Sequence, residues 1–520
     1  MKIRLKIKNK NMKHFVMMLT LVGMFTFSKA QDKLFVNMLL NYPGNLPKAK
    51  AEIDKIMADP KNQGKVEGWL WKTRVYAEIY FTESLQSTYP DAGNIAFESF
   101  KKYEALEPSY KQLSEVASWR PLDLIYITGF NQGRKFFDDA SKFNNPIKEK
   151  SDLMNRTKIR LENKTSDSMN LKEVYLNTNK SKDSLTEIQS KLWDSSYHYF
   201  VAAAYMGDII AKKDLRKTGA TLDTLSVVYT GYAAQNAKKE EEATKYYAKL
   251  IDIRVNGDDY KDIYTFTLVH YANTKDAENF NKYLAISKEV YPKGDWDDYE
   301  FDFLNKAYNM QQKEEQYDKQ DATGTLSARK YLLFGQMFSE ITKEEKAALD
   351  SSKKAHYEKK SASAYMKAFE KDNSLGLAAF NAGVIYYNEY SVLDDRYRAN
   401  IKILQDLNSN KPVEKDPKKK LAADAKYKAD VDAVKKVNQE VDKQMLEAVD
   451  MSISWLEKSF TSLNAQTTKD RTTHNCLNKS VDWLANLYQF KSQKVKGKDI
   501  KAYDAYDAKY KEYDALHGKM

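Results

Sequence analysis

The sequence has a single cysteine, Cys476, among 520 residues. No intramolecular disulfide can form, so stability must come from packing. Glycine and proline are scarce, 18 and 10 residues, and few segments alternate apolar with polar positions. These shortages exclude collagen-like and loop-dominated chains and argue against β-structure, which leaves an all-α fold. The motifs that cradle phosphates or turn a nucleophile outward, GxxxxGK[ST], GxGxxG and GxSxG, do not occur. The six histidines form no His-x-x-x-His or Glu-x-x-His pair, and His474 beside Cys476 supplies only half of a zinc ligand set. The carboxylates fall in runs such as GDWDDYEFD and KKEEEATK, which suit solvated helix faces. The sequence therefore predicts no catalytic residues, no metal site and no cofactor.

Long hydrophobic runs are also missing, with one short exception. A basic stretch (Lys2, Arg4, Lys6, Lys8, Lys10, Lys13) precedes an apolar segment from Phe15 to Phe27, then Ser28 and Ala30. Its 13 positions are well short of the roughly 20 that span a bilayer, so the pattern predicts a signal peptide, residues 1–30, cleaved after Ala30. No transmembrane segment is expected in the exported chain. The +11 net charge falls to +4 once the seven basic residues of this leader are set aside. The remaining lysines are interspersed with acidic residues, unlike the one-sided basic face of a nucleic-acid binder.

About 490 residues exceed what one compact core organises, so several domains or a repeat array is expected. In DNSLGLAAFNAGVIYYNEY, Ala379, Ala382, Gly383 and Tyr386 fall on one side of a helix. Val227, Thr230, Gly231 and Ala234 repeat the arrangement, followed by a helix bearing Ala243, Tyr247 and Leu250. A third copy has Tyr331, Phe334, Gly335 and Phe338, then Ser361, Tyr365 and Ala368 after an enlarged turn. Weaker copies begin at Trp69 and Tyr76 (with Ala96, Phe100, Tyr103), at Phe130 and Gly133 (with Ser196, Phe200, Ala203) and at Tyr264 and Leu268 (with Phe280, Leu284, Ser287). SVDWLANLYQF with the Tyr-rich stretch after it closes the series.

These residues resemble the tetratricopeptide repeat (TPR), in which small residues let two antiparallel helices approach while an aromatic ring fills the space between pairs. The whole chain resembles exported TPR proteins of Bacteroidetes-type bacteria, on the SKAQ leader ending, the Lys- and Tyr-rich composition and the SWLEKSF helix. The resemblance implies a right-handed α-solenoid of antiparallel helix pairs with a projecting helical hairpin. The expected organisation is an N-terminal array over 31–310, interrupted by a polar insertion at about 138–183, and a C-terminal array over 311–520 with a hairpin insertion at about 391–445. The polar insertion reads as part helical extension and part loop. In the hairpin, Ile401, Ile403, Leu404 and Leu407 are expected to face Leu421, Ala422, Val431, Val434 and Val437 across arms of about 45–60 Å.

In TPR arrays the first helices line a groove that contacts an extended peptide or partner helix. Carried over, the resemblance places Tyr232, Gln235, Asn236, Asn273, Gln336, Glu340, Phe380, Tyr387 and Asn388 toward a protein or peptide partner. The Lys/Asn clamp with which some relatives hold an acidic C-terminus is absent, since Leu, Val, Phe or Tyr stand at its positions. The expected function is a non-enzymatic interaction scaffold of the bacterial cell envelope, exported to the periplasm, with an envelope complex as its candidate assembly. The alternative is a glycan- or peptide-binding module of an uptake or secretion system.

Overall fold

A computed structural model describes residues 40, 44–163, 168–413 and 415–519. The leader over 1–30 lies outside them. Among the described residues the chain is all-α with no strand, and no helix is long and apolar enough to cross a membrane. It divides into two compact units, one of residues 1–270 with 285–291 and one of residues 271–284 with 292–520.

In the first unit, α1 (Leu46–Ala58) packs on α2 (Val66–Phe81), and α2 packs on α3 (Ala92–Leu106) and α4 (Arg120–Ser141). The expected Ala96, Phe100 and Tyr103 are fully buried on α3. Helix α5 (Asn144–Glu162) pairs with α6 (Ser168–Lys212), which returns along α4. Then α7 (Thr224–Asn236) packs on α6 and on α8 (Glu240–Asp252). Helices α9 (Lys261–Thr274) and α10 (Ala277–Val290) follow, divided between the units. In the second unit, α11 (Trp296–Ala307) and α12 (Met310–Asp321) precede α13 (Ala328–Ser339), which packs on α14 (Ser351–Lys371). Helix α14 packs on α15 (Gly376–Ser409), α15 on α16 (Pro417–Asn464), α16 on α17 (Arg471–Val495) and α17 on α18 (Ile500–Asp514).

One contact recurs at four of these pairings. A glycine on the earlier helix lies so close to a side chain on the later one that a Cβ there would sit 2.4 Å from the Tyr247 ring at Gly231, 2.6 Å from the Tyr365 ring at Gly335 and 2.8 Å from the Phe200 ring at Gly133. At Gly383 the neighbour is Leu456, also at 2.8 Å. Four residues before three of those side chains, a buried serine hydroxyl donates to the same glycine's carbonyl: Ser361 to Gly335 at 2.7 Å, Ser196 to Gly133 at 2.9 Å and Ser452 to Gly383 at 3.0 Å. Ala243 stands in the serine's place before Tyr247. Each bond joins two helices inside the core and contributes about 1 kcal/mol. The short turns are closed by residues in the left-handed region: Lys238 at φ 60 between α7 and α8, and Lys275 at φ 59 between α9 and α10. At each, two amides bond back to the end of the preceding helix, from Lys238 and Lys239 to Gln235 and Ala234, and from Lys275 and Asp276 to Ala272 and Tyr271.

Two long hairpins extend from these pairs, and both differ from the pattern expected of them. The polar stretch 138–183 is helical through α4, α5 and α6 wherever it is described. Shielded positions recur every three or four residues at Ile147, Lys150, Met154, Thr157 and Leu161 on α5, and at Leu171, Tyr175, Thr178, Lys182, Leu185 and Gln189 on α6. Threonines and lysine stems do the covering that leucines would do elsewhere, which hides the periodicity from a hydropathy reading. In the second hairpin the shielded line is Tyr390, Leu393, Tyr397, Asn400, Leu404 and Leu407 on α15, with Asp424, Tyr427, Val431, Val434, Asn438 and Val441 on α16. Of the residues expected in this seam, Ile403, Leu421 and Val437 are exposed instead (46%, 76% and 42%), as is Ala422. Tyr427 and the buried Asn438 occupy the seam because a step of three and four, set by the coiling of two helices, selects them over nearby apolar residues.

Replacing a helical glycine with alanine ordinarily stabilises by about 1 kcal/mol. At Gly231 the sign reverses: Gly231→Ala is expected to cost about 1–3 kcal/mol through overpacking against Tyr247. Urea unfolding checks this, and in a Tyr247→Ala background the same substitution should cost nothing.

Candidate functional site

The expected groove residues fall into two groups, one in each unit. In the first unit, Tyr232 is half-buried at the end of α7, with its hydroxyl donating to the Asp259 carbonyl (3.0 Å) and its ring edge-on to Tyr247. Burial raises its pKa, reinforced by the nearby Tyr260 and Asp262. Gln235 is exposed but accepts the Tyr247 hydroxyl at 2.6 Å. Asn236, also exposed, folds back to donate to the Tyr232 carbonyl at 2.8 Å. Its amide thus satisfies a helix-end carbonyl, the ordinary role of asparagine there.

In the second unit, Asn273 is exposed and accepts from the Lys306 ammonium at 2.9 Å. Gln336 is half-buried in the last turn of α13 and Glu340 is its exposed C-cap. Between them Ser339 meets the Tyr365 hydroxyl at 3.1 Å. Asn388 is exposed on α15. Phe380 and Tyr387 are differently placed from a free groove face. Trp483 of α17 stacks on both, at 5.7 Å from Phe380 and 4.7 Å from Tyr387, and Phe380 is buried. Their apolar faces are spent within the fold, because α17 follows α16 and lays its tryptophan across the first-helix face of α15. The signal for this was SVDWLANLYQF, whose large aromatic needs a partner of comparable area.

A cleft of about 500 Å³ in the second unit escaped the sequence reading. It lies among α12, α14 and the short helix Lys343–Ala348, and is lined in part by Met310, Glu314, Glu345, Lys353, His356 and Tyr357. His356 bonds Glu314 at 2.7 Å, and Lys360 reaches the same carboxylate at 2.9 Å. Lys313, only 4% exposed, pairs with Glu345 at 2.8 Å, while Glu345 and Thr342 form a capping box. One residue after His356, Tyr357 is buried and its pKa is raised, chiefly by that burial and secondarily by Glu314. Every carboxylate here is therefore engaged by a cation, and the phenol stays protonated. Such an arrangement ties α12 to α14; it presents no activated nucleophile. Further along the same pair, Asp321 accepts from Lys367 and Tyr331 at 2.7 Å each.

Elsewhere the chemistry is equally quiet. Cys476 is buried, and its thiol pKa is raised by that burial, which keeps it from becoming a thiolate. His474 is exposed beside it. Among the described residues, no group of three or more His, Cys, Asp or Glu is placed to hold a metal. Comparison with protein-family models and with curated proteins finds no match for this chain.

Desolvation pushes the carboxyls of Glu314, Glu345 and Asp321 upward, but hydrogen bonds from His356, Lys313 and Lys367 respectively, with further local bonds, outweigh it and hold all three below their ordinary range. A depressed folded-state pKa stabilises the fold above the unfolded value and is lost as the pH falls through the folded value. The urea midpoint is expected to drop between about pH 5 and pH 3, and to drop less in Glu314→Gln than in the parent. Unfolding curves across that range check it.

Proposed function

We propose that this chain is an exported scaffold of the bacterial cell envelope, built as a tetratricopeptide-type right-handed solenoid, and that it holds a protein or peptide partner along the exposed ends of its first helices. The observation that carries the reading is the repeated glycine contact at Gly133, Gly231, Gly335 and Gly383, each met by a side chain of the later helix it packs against. A pair built this way spends its apolar faces on neighbouring pairs and keeps only the solvent edge of each first helix for recognition. That edge carries Asn236, Glu340 and Asn388, all exposed and polar. A partner bound there would be held by hydrogen bonds to amide and carboxylate groups more than by aromatic stacking. Carboxylates already engaged by cations, a buried protonated thiol and the absence of phosphate-binding motifs favour binding over catalysis as the molecule's work.

Two measurements test the reading. Affinity capture from the organism's own cell envelope should recover a partner with the parent chain, and the variant Asn236→Ala, Glu340→Ala, Asn388→Ala should recover at least about tenfold less. Identical recovery by both would remove the groove assignment. Export is checked separately, since Edman sequencing of protein from the periplasmic fraction should begin at Gln31. A chain that kept residues 1–30 would contradict the leader.

A further inference from the structure

We propose that the end of the second hairpin, residues 410–428, docks onto the headgroup surface of an anionic phospholipid bilayer. The first reason is where the charge lies. These residues hold seven lysines (411, 415, 418, 419, 420, 426 and 428) against Glu414, Asp416 and Asp424, a net +4. That equals the whole net charge of residues 31–520, so the rest of the exported chain is balanced. Asp406 and Asp430 lie about a turn behind on the arms, which confines the positive field to the end. The Lys-rich run falls in the first turn of the 48-residue α16, where no acidic residue stands. Lysines there oppose the helix macrodipole, so helix stability does not explain their placement.

The second reason is independent of charge. Val413 is 92% exposed and Leu421 76%, two of the most exposed apolar residues in the described chain, and both flank the lysines. Leu421 has the hydropathy of a seam residue yet points away from the seam that Tyr427 and Val431 fill. Apolar side chains set among lysines at a protruding end match an interfacial anchor, in which the ammonium groups meet lipid phosphates while the apolar groups enter the acyl boundary. A soluble acidic partner would use the lysines and leave Val413 and Leu421 in water. The hairpin presents its end suitably: between Tyr397 and Asn438 the shielded positions are those that face the opposite arm, leaving about 20–30 Å of two-helix structure ahead of the base.

The test is flotation of the exported chain with phosphatidylcholine vesicles with and without a quarter of phosphatidylglycerol. Flotation is expected only with phosphatidylglycerol and should be lost in high salt. Lys411→Gln, Lys415→Gln, Lys419→Gln, Lys420→Gln should weaken it roughly a hundredfold or more, at about tenfold or somewhat less for each lysine near the surface. Val413→Ser with Leu421→Ser should weaken it about tenfold or more. Ile159→Ser with Met169→Ser, exposed at the end of the first hairpin, should float like the parent. No flotation of the parent on anionic vesicles, equal flotation without phosphatidylglycerol, or an unchanged lysine variant would each overturn the proposal. So would loss with the lysine variant but none with the Val413 and Leu421 variant, since vesicle binding by charge alone would leave the two apolar side chains without the role given to them. None of these substitutions changes Asn236, Glu340 or Asn388, so partner capture should persist in all of them.

Discussion

The structure rests on the approach of a helix backbone to a side chain of its neighbour at a residue that has no side chain of its own. At Gly231 and Gly335 the space a β-carbon would occupy is taken by the ring of Tyr247 or Tyr365. The ring shields the backbone there, and in three of the four cases a serine hydroxyl caps the glycine carbonyl. Two features that each weaken an isolated helix, a mid-helix glycine and a serine competing for backbone bonds, are thereby turned into a fixed separation and a fixed register between helices.

Because this contact is made at the base of a helix pair, it is indifferent to what joins the helices beyond it. The glycine and its serine or alanine partner are separated by 12 residues at Gly231, 26 at Gly335, 63 at Gly133 and 69 at Gly383. A three-residue turn, a turn with its own short helix and two long hairpins all close onto the same geometry. Lengthening a connection adds entropy only slowly, so a well-made base tolerates large insertions.

The helical class and the pairing partners were legible because the contact leaves a strong mark: glycine or alanine at a helical spacing, then a small residue four places before a large one. Gly133 with Ser196 and Phe200 was readable even across 63 residues. The interior of the hairpins was not, since two helices coiled on each other need only a narrow strip of cover, and Thr157, Thr178, Lys182 and Asn438 supply it without raising the local hydropathy. The candidate site was legible in position but not in availability. Spacing put Phe380 and Tyr387 on the first-helix face, yet only the folded chain brings Trp483 onto them. The cleft at His356 left no mark, as its residues come from three separate elements and each ion pair bridges more than thirty positions.

The polar seams give the two hairpins a grain. Toward the base of the second hairpin, Val441, Met445 and Ala448 are almost wholly covered; further out, Asn438 and Asn400 each leave a buried polar atom without a hydrogen-bond partner, and beyond them the cover thins to Leu404, Leu407 and Tyr427. The arms are thus tied firmly at one end and loosely at the other, like a seam stitched progressively wider. Cover of this kind favours opening of the pair from its outer end inward, with the glycine contact at Gly383 as the part best held. The second hairpin can therefore fray and re-form without the helix stack beneath it registering the change.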